Sequence, residues 1–219
     1  MQARISAGEI SKLTRALYTQ GNIARRWMVH LRPYICPFEE VISRVPQRAS
    51  VLDVGCGDGL FLNVLGQLQV TSTGLGFDQN QIAIESARTA KNNQPTENIE
   101  FRVWSTNEAW PDGLFDIVSM IDVLHHIPPA QKQFAIEEAV RHVKPGGLFL
   151  FKDIGASPKW RAWFNSLHDY VLTRERVTYT VLDTVAAWAL PFEMEETERQ
   201  TINRLWYGHE LLVLKRQSD

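Results

Sequence analysis

Three glycines at alternate positions, Gly55, Gly57 and Gly59, separate the strand-length apolar run Val51-Leu52-Asp53-Val54 from a second apolar run that begins at Leu60. The pattern reads as a strand, a tight turn and a helix start. Glycine lets a backbone approach a ligand closely and take positive φ. A helix N-terminus adds unpaired N–H groups and a positive dipole end. A turn of this kind suits a nucleotide-like cofactor. Asp78 follows at the end of the next strand-like run, about 20 residues on, where a carboxylate can accept two ribose hydroxyls. Nicotinamide-type turns are spaced G-x-G-x-x-G, but here Leu60 stands where the third glycine would be. The spacing disfavours a nicotinamide cofactor.

Histidine is the side chain suited to general-base work near neutral pH, and four histidines merit weighing. His125 and His126 follow a strand-like run, at the edge where α/β sheets bind ligands. His168 lies in Asn165-Ser166-Leu167-His168-Asp169-Tyr170 and His209 in Trp206-Tyr207-Gly208-His209-Glu210. His168 and His126 are the candidates for the catalytic role, and His209 reads as a structural strand residue. Trp160, Trp163, Phe164 and Leu167 recur at i, i+3, i+4 and i+7, one face of a helix over Lys159–Val171. That face can pack on the sheet or on a dimer mate, touch a membrane transiently, or form an apolar wall for an acceptor.

The elements that must position these residues alternate. Strands are predicted at Val51–Val54, Ser72–Phe77, Ile99–Trp104, Leu114–Met120 and Leu148–Lys152, with helices over Leu60–Leu68, Asn80–Asn92 and Ala130–His142. Such alternation implies a parallel sheet covered on both faces. Residues 1–49 read as helices, with Ile10, Leu13, Leu17 and Tyr18 at helical spacing, then Ile23 to Leu31, then a short helix after Pro37. They are expected to form a helical cap, or a lid from which Tyr18 or Arg26 reaches in. Thr180 is expected to cap a helix over Val181–Leu190, with Asp183 completing a capping box. A final hairpin near Phe192–Gln200 and Arg204–Lys215 closes the chain. The whole, 1–219, is expected to be a single domain: cap 1–49, core 50–155, acceptor side 156–219.

Four ordered blocks carry a family resemblance. Val51-Leu52-Asp53-Val54-Gly55-Cys56-Gly57-Asp58-Gly59 resembles motif I of class I S-adenosylmethionine-dependent methyltransferases. Gly76-Phe77-Asp78 looks like their ribose-binding acidic position. Phe115-Asp116-Ile117-Val118 with Leu124-His125-His126-Ile127 resembles their fourth-strand signature, and Val143-Lys144-Pro145-Gly146-Gly147-Leu148-Phe149 their turn into strand five. The resemblance implies a Rossmann-like α/β fold, with a mostly parallel seven-stranded sheet ordered 3-2-1-4-5-7-6. It implies S-adenosylmethionine as cofactor and S-adenosylhomocysteine as product. Gly55, Cys56, Gly57 and Gly59 would shape the methionine pocket, with Asp53 supporting the turn. Asp78, next to Gln79, would bind ribose, Trp104 and Ser105 would flank adenine, and Ile121 and Asp122 would line the pocket beyond strand four. One departure is plain: Ser105 stands where the family often has an acid for the adenine amine.

The methyl acceptor is expected to be a small molecule, with a hydroxyl on an aromatic, polyene or lipid-like metabolite favoured and Trp160, Trp163 and Phe164 as its wall. Transfer to nitrogen or carbon is the alternative, as is a non-catalytic accessory protein that only binds the cofactor. A net charge of −2 over 219 residues argues against a nucleic-acid partner. With only Cys36 and Cys56, neither a disulfide framework nor a metal site is expected. No apolar run approaches the ~18 residues of a membrane span and no signal-peptide core opens the chain. A cytoplasmic protein without integral membrane association is expected, with a homodimer as an open alternative.

Overall fold

The backbone groups of the first helix are closed by its own sequence: Ser6 accepts the Glu9 N–H, and the Glu9 carboxylate accepts back from Ser6 N at 2.8 Å. The computed structural model describes residues 5–93, 98–155, 178–205 and 207–218. Its elements are α1 (Ala7–Leu17), α2 (Ile23–Ile35), α3 (Phe38–Ile42), β1 (Ala49–Val54), α4 (Leu60–Gln67), β2 (Thr71–Asp78), α5 (Gln81–Asn93), β3 (Ile99–Val103), β4 (Phe115–Ile121), α6 (Pro129–Arg141), β5 (Val143–Ile154), α7 (Leu182–Ala189), β6 (Met194–Arg204) and β7 (Tyr207–Arg216). The sheet has seven strands in the order β3-β2-β1-β4-β5-β7-β6, mostly parallel, as the sequence implied. The chain divides into two compact units, residues 1–109 and 110–219.

In the first unit β1 pairs with β2 and β2 with β3, all parallel. The apolar side chains of β1 (Val51, Leu52, Val54) are fully buried, with Leu62, Leu65, Phe77, Ile84 and Phe101 among the core around them. The N-terminal helices form the expected cap, and α1 packs on α2, α4 and α5. Asn22 caps α2 by accepting the Ala24 and Arg25 N–H groups. The sector of α2 that carries Ile23, Trp27, Met28, Leu31 and Tyr34 is exposed.

In the second unit β4 and β5 are parallel, while β7 runs antiparallel to both β5 and β6. Two expectations need revision. The Lys144–Gly147 turn lies inside β5, as an irregularity where the register with β4 passes from Phe115↔Val143 to Ile117↔Leu148. Gly147 is fixed there because an added Cβ would meet the Asp116 carbonyl at 2.8 Å. The capping box at Thr180 does not form. Val181 is the N-cap and makes no side-chain cap bond, because Thr180 Oγ1 accepts from Lys132 Nζ at 3.0 Å and Asp183 pairs with Arg199 at 2.5 Å. Among the described residues, no helix is long and apolar enough to cross a membrane.

Candidate active site

All three glycines of the turn adopt positive φ, at 64° for Gly55, 54° for Gly57 and 71° for Gly59. The turn is tied to the sheet by Cys56 N donating to the Phe77 carbonyl at 3.0 Å, and Gly59 opens α4. Two of the glycines are needed for different reasons. A Cβ on Gly59 would lie 2.6 Å from Phe101 and 2.7 Å from Ala87, so it is held by packing. At Gly57 the nearest atom is Arg32 Nη1 at 3.9 Å, so the space before it is open. A guanidinium therefore borders the turn, with its carbon 5.7 Å from the centre of the Phe38 ring.

Asp78 sits at the end of β2, half-buried. Its Oδ2 accepts the Gly57 N–H at 3.0 Å, its Oδ1 accepts the Asn80 N–H at 2.8 Å, and its carbonyl accepts the Trp104 N–H at 3.0 Å. Each carboxylate oxygen keeps a second lone pair for a ligand hydroxyl. Gln79 is exposed beside it. Asp53 is buried in β1. Burial first, then the charges of Asp53 and Asp78, push the Cys56 thiol well above its ordinary value. Trp104 is half-buried and its indole N–H donates to the Ala109 carbonyl at 3.0 Å, while Ser105 Oγ accepts the Asn107 N–H at 3.3 Å.

The cap reaches this turn through the turn's own atoms. Tyr18 Oη donates to the Asp58 carbonyl at 2.7 Å, and Arg25 Nε meets Asp58 Oδ1 at 2.5 Å. Asn63 Nδ2 donates to Tyr18 Oη at 3.3 Å and to the Ala87 carbonyl at 3.2 Å. Burial pushes the Tyr18 phenol far above its ordinary value, which keeps it a neutral donor. Arg26 Nε donates to the Tyr18 carbonyl at 3.0 Å. Of the two residues expected to reach in from a lid, Tyr18 grips the turn and Arg26 grips Tyr18.

In the second unit polar groups gather at the carboxyl ends of β4 and β5. Ile121 is buried, and Asp122 follows it with φ 57°, an uncommon conformation for a residue with a Cβ. Asp122 is held there by Lys152: its N–H donates to the Lys152 carbonyl at 2.8 Å and its Oδ1 accepts from the fully buried Nζ at 2.6 Å. A short 3-10 turn then carries both histidines. His125 is buried, its Nδ1 bonded to Asp153 Oδ1 and its N–H donating to Asp153 Oδ2 at 3.1 Å. Ile154 N–H donates to the same carboxylate at 2.8 Å. His126 is exposed, with its ring 4.1 Å from that of His125 between centroids. Glu210 faces Asp153 across the β5–β7 pairing. Burial, and then the Asp153 charge, raise its carboxyl above the ordinary range. Lys132 donates to the Thr178 carbonyl, and burial lowers its ammonium.

The sequence-predicted residues are thus partly assembled. The glycine turn and Asp78 are bonded together, and His126 lies on the turn that follows β4. His168, Trp160, Trp163 and Phe164 lie outside the described residues. Sequence reasoning missed Arg32, the Tyr18–Asp58–Arg25 contacts, the Lys152–Asp122 pair and the His125–Asp153 pair. Two of the missed pairs join adjacent parallel strands: Asp122 follows β4, and Lys152 is a β5 residue whose register partner is Ile121. The Asp-Val-Leu-His-His and Lys-Asp-Ile segments were visible, but their pairing was not.

A family model described as a methyltransferase domain matches residues 28–192. A ubiquinone biosynthesis O-methyltransferase of Pseudomonas entomophila is 30% identical over 109 residues, which is 50% of this chain and 46% of that protein. The chain thus spans about half the length of the curated relatives it matches. Among solved structures, an O-methyltransferase family protein from Burkholderia thailandensis superposes with a TM-score of 0.71 at 26% identity, over 87% of this chain and 57% of that one. The magnesium protoporphyrin IX methyltransferase of Synechocystis, solved with S-adenosylhomocysteine bound, gives a TM-score of 0.68 at 15% identity over 94% of this chain and 93% of that one, which speaks to the fold alone.

Proposed function

The chain belongs to the class I S-adenosylmethionine-dependent methyltransferases, and on that premise we propose that it transfers a methyl group to a hydroxyl of a small aromatic, polyene or lipid-like molecule. S-adenosylmethionine is the cofactor of this family, and it supplies a methyl group on a sulfonium that is already a strong donor. The residues present fit it. The open space before Gly57 admits a ligand against the turn. The Arg32 guanidinium complements the methionine carboxylate, and Asp78 presents free lone pairs to the ribose hydroxyls. Gln79, Trp104 and Ser105 border the adenine end, and Ile121 and Asp122 follow the fourth strand. The chain's main contribution is alignment, which can be worth ~7–11 kcal/mol in favourable cases.

The observation that carries the oxygen reading is the exposed His126 ring set at a tilt against a buried, carboxylate-held His125. A hydroxyl must lose its proton as it attacks, whereas a neutral amine attacks with its lone pair. A base has to come within about 2.6–3.2 Å of the proton it takes. His125 is only 3% exposed, so His126 is the ring an acceptor can reach. Asp153 fixes the orientation of His125, which in turn backs His126. The relatives named for O-methyl transfer lean the same way.

The test is methyl transfer from labelled cofactor to a panel of catechols, phenols, hydroxylated polyenes and their amine analogues, with the methyl located by fragmentation mass spectrometry. Hydroxyls should be preferred, and His126→Ala should lower kcat by ~10²–10⁴ while S-adenosylhomocysteine affinity stays unchanged. Amine analogues methylated as fast as hydroxyls, or wild-type kcat in His126→Ala, would overturn the reading.

A further inference from the structure

Helix α2 turns its apolar side to the solvent. Ile23 is 70% exposed, Trp27 60%, Met28 56%, Leu31 47% and Tyr34 44%. At the helical period these five side chains fall in one sector. The opposite sector faces the protein. Val29 and Pro33 are buried there, and Arg25 and Arg26 reach Asp58 and the Tyr18 carbonyl. Isolated exposed apolar residues are ordinary, but a contiguous group of this size on one helix marks a surface that meets something.

Charge says what it meets. Residues 10–38 contain five Lys and Arg (Lys12, Arg15, Arg25, Arg26, Arg32) and no Asp or Glu. The rest of the chain holds 18 Lys and Arg against 25 Asp and Glu. An acidic protein thus concentrates positive charge on the two helices α1 and α2, the second of which carries the exposed apolar sector. Lys12 and Arg15 are exposed on α1, and among the described residues the two terminal nitrogens of Arg26 make no hydrogen bond. A basic helix with an exposed apolar sector that includes Trp and Tyr has the chemistry of a membrane-surface element.

We propose that α2 docks this methyltransferase reversibly on an anionic lipid bilayer, its apolar sector in the headgroup–acyl boundary and Lys12, Arg15 and the terminal nitrogens of Arg26 against lipid phosphates. The docking involves insertion to the depth of one helix face and no membrane span. It stands apart from the hydroxyl acceptor proposed above, because docking is read without any methyl transfer.

The experiment is co-sedimentation of the full chain with vesicles of equal parts phosphatidylcholine and phosphatidylglycerol, and with vesicles of phosphatidylcholine alone. Two variants accompany the wild type: Trp27→Ser with Leu31→Ser, and Lys12→Glu with Arg15→Glu. All four positions are more than a third exposed, so circular dichroism and S-adenosylhomocysteine binding should match the wild type. The wild type should sediment with the anionic vesicles, poorly with the neutral ones, and less as salt is raised. Each double variant should partition at least roughly tenfold more weakly. Failure of the wild type to sediment with anionic vesicles overturns the proposal, as does undiminished sedimentation of the Trp27/Leu31 variant. Self-association that this variant abolishes, without vesicle binding, would assign the face to a second copy of the chain instead.

Discussion

The glycine turn contains a built-in comparison, because Gly57 and Gly59 share positive φ but differ in what surrounds them. Gly59→Ala puts a Cβ 2.6 Å from Phe101 and 2.7 Å from Ala87, both core side chains. The left-handed conformation costs ~1–2 kcal/mol for any L-residue, and forcing a methyl into a packed core costs roughly 1–3 kcal/mol more. The sum, about 2–5 kcal/mol, is a large share of the ~5–15 kcal/mol by which folded domains are stable. It corresponds to a fall in melting temperature of about 4–20 °C for a chain of this size. Gly57→Ala has only the conformational cost, ~1–2 kcal/mol, because its nearest neighbour is a guanidinium nitrogen at 3.9 Å. Its methyl instead occupies the space proposed for the cofactor, so S-adenosylhomocysteine affinity should fall at least roughly tenfold, about 1.4 kcal/mol. Urea unfolding and calorimetric titration read the two effects separately. Adding Phe101→Leu to Gly59→Ala should recover part of the loss, with a coupling of ~1–2 kcal/mol for residues in contact. The reasoning is refuted if Gly57→Ala is as destabilising as Gly59→Ala while binding S-adenosylhomocysteine normally.

Other outcomes follow from the same geometry. Lys152→Met leaves the Asp122 carboxylate, 14% exposed, without its buried cation and should cost about 3 kcal/mol in urea unfolding. Adding Asp122→Gly, which also relieves the positive φ, should restore more than half, and no restoration would deny that the pair is what Lys152 supports. Cys56, its thiol pushed up by burial and by the carboxylates of Asp53, Asp78 and Asp58, should react with Ellman's reagent at least roughly tenfold more slowly in folded than in urea-unfolded protein, so fast labelling of the folded form would contradict the site's electrostatics. Glu210 has a carboxyl raised above its ordinary 4.5, so the folded state holds its proton to higher pH than the unfolded state. Its contribution to stability is complete below that ordinary value and is lost as pH rises through the folded value. Glu210→Gln should therefore gain stability relative to wild type as pH rises above the ordinary 4.5, and a pH-independent difference in urea midpoint would remove Glu210 as the cause.

Much of the fold was legible because strand and helix periods alternate cleanly from Val51 to Lys152. The turn was legible because glycines declare their conformation in the sequence. What could not be read were contacts fixed by tertiary packing. Thr180 with Asp183 has the form of a capping box, yet Lys132, 48 residues away, takes the Thr180 hydroxyl. His125 and His126 are indistinguishable neighbours in sequence, and only the carboxylate of Asp153 on the adjacent strand separates a buried ring from an exposed one. The periodicity of α2 announced one apolar face but carried no sign of whether that face looks inward or outward. Burial of an amphipathic helix is a relation to its neighbours, and those neighbours, Asp58 and Tyr18, bind its arginines instead.

The contacts of Asp58 also bear on how such enzymes can be recombined. Acceptor preference in this architecture is naturally sought in the segments outside the cofactor core, which invites exchange of N-terminal helices between relatives. Here a crossover placed between α3 and β1 would take Tyr18 and Arg25 from a different parent than Asp58 and put one of the two acceptors of the Asn63 amide at risk. Residues 18, 25, 58 and 63 therefore form an inheritance unit. A chimera that carries all four from one parent should keep its glycine turn in place, and one that mixes them starts with that turn already loosened.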